Sequence, residues 1–64
     1  MYELIVFSAG SDRPLETVRV EHAADVLTVI PTLFDKHKGC ERVDVHLQGR
    51  KLFSIDCKGN STPA

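Results

Sequence analysis

His37, Cys40 and Cys57 are the residues in this chain whose types could hold a metal or do thiol chemistry. Imidazole and thiolate are zinc ligands, and Asp12 in an early polar segment could add a carboxylate. The spacing is incomplete, because His37-x-x-Cys40 is half of a ligand motif and Cys57 falls in an alternating run with its side chain towards the core. The competing reading is a histidine near a helix end, a small apolar residue after Gly39 and a core thiol, the usual behaviour of free cysteine. That reading is preferred, so no metal and no cofactor is expected. A Cys40–Cys57 disulfide meets a parity conflict. The inward residues of the two flanking strands are all odd-numbered, so a regular ladder puts Cys40 and Cys57 on opposite faces. Free thiols are expected.

Proton-transfer candidates are few. His46 stands two residues from Asp44 on one alternating segment, and His22 precedes the helical segment. Neither has a recognisable pocket or partner, so both read as solvated surface. The chain has no Ser-His-Asp set, phosphate loop or paired-carboxylate cleft, and it is read as a non-enzyme. Lys36, Lys38, Arg42, Arg50, Lys51 and Lys58 are interleaved with acids, and the net charge is −1. A nucleic-acid surface normally needs a basic face with aromatic platforms. Nucleic-acid binding therefore ranks last among the readings.

The elements that would position these residues follow from periodicity. Residues 2–8 form an apolar run of strand-forming types, 9–14 collect turn residues, and 15–21 alternate with Val18 and Val20 on one face. From Ala23 the period becomes helical: Val26, Leu27, Ile30, Leu33, Phe34 and His37 make one broad stripe over 23–38. Asp25 suits the first turn, Lys36, His37 and Lys38 suit the last, and Gly39 is expected to end the helix in the left-handed region. Pro31 removes one backbone donor and predicts a kinked helix, with two shorter helices as the alternative. Residues 41–48 alternate with Val43, Val45 and Leu47 inward. Gly49-Arg50 turns the chain, and 51–57 return with Phe53, Ile55 and Cys57 inward. The segment 59–64 is polar and reads as a disordered tail.

These elements predict one α+β domain over residues 1–58, a ββαββ unit with the helix on one face of the sheet. The first and fourth strands are the most apolar and are expected at the centre. Arg19, Glu21, Glu41 and Arg42 suit edge strands two and three. The expected sheet is four-stranded and mixed, in the order 2-1-4-3. With its Tyr2-Glu3-Leu4-Ile5-Val6 opening strand, charged alternating second strand, Ala-Ala-Asp helix start and Gly-terminated helix, the chain resembles the β-grasp class. Its layout is similar to that of the immunoglobulin-binding domain of protein G. The resemblance implies the fold and not antibody binding, since function does not follow from fold. The C-terminal Gly-Gly of ubiquitin-like carriers is also missing from this sequence.

The functional expectation is a small, bacterial-type, non-enzymatic protein-interaction domain, with an unknown protein partner or a weak homodimer. Its surface is expected on the open sheet face at Ile5, Phe7 and His46, because two large apolar groups on a central strand call for cover. A metal- or thiol-dependent site at the His37/Cys40/Cys57 edge is the alternative, and weak nucleic-acid binding the third. No segment has the length or composition of a transmembrane span or a secretory signal, so the expected setting is cytoplasmic, with no membrane partner.

Overall fold

Strand β1 (Tyr2–Ser8) carries Leu4 and Val6 on one face, and both are fully buried. The computed structural model describes residues 1–63 and adds β2 (Pro14–Val20), α1 (Ala23–Lys36), β3 (Cys40–Leu47), β4 (Arg50–Asp56) and β5 (Ser61–Pro63). The fold is α+β, with one helix against a five-stranded sheet. Adjacent strands are antiparallel throughout, in the order β2-β1-β3-β4-β5.

That order overturns the expected four-stranded mixed 2-1-4-3 sheet. The partner of β1 is β3, with Leu4 opposite Val45 and Val6 opposite Val43, all four fully buried. This juxtaposition collects the best aliphatic residues of two strands over one patch of core, which is worth more than any penalty for placing Glu41 and Arg42 centrally. The charges of the third strand do not mark an edge. Glu41 points to solvent, and Arg42 lies across the ring of Phe7 at 4.3 Å. β4 is only half-buried and sits one place further out. There, β5 pairs with it at Phe53–Pro63, Ser54–Thr62 and Ile55–Ser61. Residues 61–63 of the expected tail are thus strand; Ala64 lies outside the described residues.

Helix α1 runs unbroken from Ala23 to Lys36 with Pro31 inside it. It buries Val26, Ile30 and Leu33 and rests chiefly over β1 and β2. It ends two residues earlier than its periodicity suggests, and Gly39 is not left-handed. Instead the chain closes on His37, whose N–H donates to the carbonyl of Leu33 at 2.8 Å. Cys40 N–H then donates to the carbonyl of His37 at 2.9 Å. The β3–β4 hairpin turns through Gln48 and Gly49, at φ 52° and 81°, one residue earlier than Gly49-Arg50. Positive φ at both central residues matches the right-handed twist of the flanking strands. No helix among the described residues is long and apolar enough to cross a membrane.

Candidate interaction surface

The open face of the sheet is built by odd residues of β1 and even residues of β3. Glu3 lies opposite His46, Ile5 opposite Asp44 and Phe7 opposite Arg42. Ile5, Phe7 and His46 therefore share this face, and all three are half-buried. Asp44, expected at the solvated surface, is only 6% exposed. Its Oδ1 accepts from Ser54 Oγ at 2.6 Å and from Arg42 Nε at 3.2 Å, and Lys51 Nζ stands 3.9 Å from Oδ2. Arg42 thus joins the carboxyl of Asp44 to the ring of Phe7, a cation–π geometry that covers part of the apolar surface of β1.

Where α1 leads into β3, the backbone brings His37, Cys40 and Cys57 to one edge, Cys40 N–H donating to the carbonyl of His37 at 2.9 Å and Cys57 N–H to that of Glu41 at 3.2 Å, but their side chains are engaged separately. His37 Nε2 donates to Glu16 Oε1 at 2.7 Å, and Lys36 Nζ donates to Glu16 Oε2 at 3.0 Å. His37 first and Lys36 second hold the Glu16 carboxyl below its ordinary range. Cys40 is buried, because a register shift between Phe7 and Ser8 pairs Cys40 with Ser8 and turns its side chain inward. Its thiol donates to the carbonyl of Arg42 at 3.2 Å, and burial pushes its pKa up. Cys57, read as inward, lies beyond the end of β4 and is exposed; both thiols are free. Among the described residues, no group of three or more His, Cys, Asp and Glu side chains is arranged to hold a metal ion. Glu16 escaped the sequence reading although the signal was there: it shares the even parity of Val18 and Val20, and so the helix-facing side of β2.

The surface that stands out lies on the helix side. Because α1 lies nearest β1 and β2 and its core face reaches only as far as β3, the inner face of β4 is left half-covered beside it. Leu27, Ile30, Pro31, Phe34, Ile55 and Cys57 line a groove of about 420 Å³ there. A second hollow of about 270 Å³ continues from it between Ala23, Leu27, Tyr2, Leu52 and Phe53. Leu27 stands between the two and is 70% exposed. A β-bulge helps to form the second hollow: Val45 faces Phe53 and His46 faces Lys51, so Leu52 is the extra residue. The breadth of the apolar stripe on the helix was the sequence signal for this groove. At 3.6 residues per turn, Leu27 lies about 100° round from Val26, too far for one sheet contact to bury both.

The chain matches no protein-family model, and neither the curated proteins nor the solved structures include one similar to it, so nothing among them bears on the β-grasp resemblance.

Proposed function

We propose that this chain is a non-enzymatic protein-interaction domain whose contact surface is the apolar groove between α1 and β4. The observation that carries the reading is Leu27, a large aliphatic side chain 70% exposed on a helix and flanked by two apolar hollows. A contiguous apolar surface of this kind on a small domain marks a contact site, whereas scattered single residues do not. The open sheet face with Ile5, Phe7 and His46 is less suited to the role. Arg42 already lies over Phe7, and the neighbouring Asp44 spends its hydrogen bonds inside the domain. The engagement of His37 by Glu16 likewise speaks against a metal site at that edge. A free thiol exposed in an apolar groove suits a reducing, cytoplasmic setting.

Position-specific crosslinking in the producing cell tests the reading. A photo-reactive analogue at Leu27 is expected to give a discrete covalent adduct with a protein. The same group at Thr32, on the other side of the helix, is expected to give none. Absence of an adduct at Leu27, or equal labelling at both positions, overturns the reading.

A further inference from the structure

One α-helix is about 10 Å across, and strands are spaced about 4.8 Å apart, so α1 can cover only about two of the five strands beneath it. It lies nearest β1 and β2, its core face also buries Val43 and Val45 of β3, and a groove is left over the half-buried β4. The groove holds about 420 Å³ between Leu27, Ile30, Pro31 and Phe34 of the helix and Ile55 and Cys57. Its length along the seven residues of β4 is roughly 23 Å, close to the roughly 21 Å of the fourteen-residue α1. The helix side of the domain is therefore a step, raised over β1–β2 and hollow over β4.

The raised half is apolar well beyond its contact with the sheet. Around the helix, apolar side chains run from Val29 through Val26 and Ile30 to Leu27, Phe34 and Pro31, an arc of roughly 200°, about twice the minimum for a single buried face. Asp25 and Lys36 lie on the opposite flank, where Lys36 meets Glu16 of β2. Two small residues extend this surface: Ala23 lies within the apolar arc between Ile30 and Phe34, and Ala24 at its edge beyond Pro31.

We infer that the occupant of the groove is a second copy of this chain, in an isologous dimer where each α1 fills the groove over the other protomer's β4. A step is self-complementary under a two-fold axis: the ridge of one copy enters the hollow of the other, and the reverse. Leu27 is the knob, and the hollows on either side of it are the holes. The result is a three-layer sandwich, with two helices side by side between two sheets. A short peptide would fill the hollow and leave the flank of α1 bare, whereas a second copy covers both.

The dimensions of the domain set the most that this face can bury. One broad face of a body 27 × 20 × 20 Å is roughly one-fifth of its surface, or roughly 800 Å² of the 4322 Å² accessible, which is the share per partner in a standard specific interface. The edges of the sheet offer no comparable contact. β2 carries Pro14, Arg19 and a bulge at Leu15, and β5 is three residues long and includes Pro63.

The inference rests on the groove reading and is separable from it. Sedimentation of the full chain from micromolar to millimolar concentration is expected to show a monomer–dimer equilibrium. Leu27→Lys is expected to raise the dimer Kd at least about tenfold, and Thr32→Lys to leave it unchanged. Circular dichroism checks that each variant is folded, and Pro31→Lys, on the same flank, serves if Leu27→Lys is not. Alkylation of Cys57 provides a second readout, because its thiol lies in the groove: its rate should fall as protein concentration rises, and Leu27→Lys should abolish that dependence. A strictly monomeric native chain, or a dimer indifferent to both groove substitutions, overturns the inference. An adduct at Leu27 with a different protein, from a chain that sediments as a monomer, overturns the dimer alone and leaves the groove reading standing.

Discussion

Glu16 on β2 and His37 at the end of α1 are 21 positions apart in the chain, yet Oε1 of one lies 2.7 Å from Nε2 of the other. Lys36 completes the cluster at 3.0 Å. It ties the last turn of the helix to an edge strand, at the end of the domain where α1 leads into β3.

This cluster makes stability depend on acid. The folded state holds the Glu16 carboxyl below its ordinary value of 4.5, through His37 first and Lys36 second. A group with a depressed folded pKa contributes stability that is complete above its unfolded value and is lost as pH falls through the folded one. The melting temperature should therefore decline as pH is lowered below 4.5. In Glu16→Gln that part of the decline should be shallower. Equal slopes for the two proteins between pH 4.5 and stronger acid would show that the cluster adds no acid-sensitive stability.

The buried Asp44 and the half-buried Ser54 form a cross-strand pair on the open face, opposite each other in β3 and β4. Removing the hydroxyl leaves a carboxyl oxygen at 6% residue exposure with one donor fewer. Ser54→Ala should cost about 1–2 kcal/mol in urea denaturation. A double-mutant cycle with Asp44→Asn should show coupling of at least about 0.5 kcal/mol, because the residues are in contact. Additive losses would mean that the bond contributes nothing beyond its separate partners.

Pro31 deprives the carbonyl of Leu27 of its helical donor, at a residue that faces solvent. The helix nevertheless continues through the proline without a break. Pro31→Ala should raise stability by about 1–2 kcal/mol under monomeric conditions, less than the full helix-propensity difference, because the ring also packs in the groove. A lower melting temperature would mean that packing of the ring outweighs the missing hydrogen bond.

Much of this protein was legible without coordinates because its signals are local. Alternation in residues 15–21 and 41–48 and the helical stripe from Ala23 are set by backbone geometry within a few residues of each position. They place β2, β3 and α1 correctly to within two residues at their ends and put Pro31 inside one helix. They also assign Val43 and Val45 to the helix-facing core. Strand order is not local. Whether β1 takes β3 or β4 as its neighbour depends on which pairing buries more surface beneath a helix whose position is itself undetermined by periodicity. Charge on β3 misleads there, since Arg42 is neutral in its effect on burial once it lies over Phe7 and bonds Asp44. Cys40 turns inward only because the ladder slips at Phe7/Ser8, and Glu16 meets His37 only because the helix leans towards β2. The same lean leaves the face of β4 only half-covered. The apolar side chains of that groove are all present in the sequence, but their exposure is decided by where a single helix comes to rest on a sheet too wide for it.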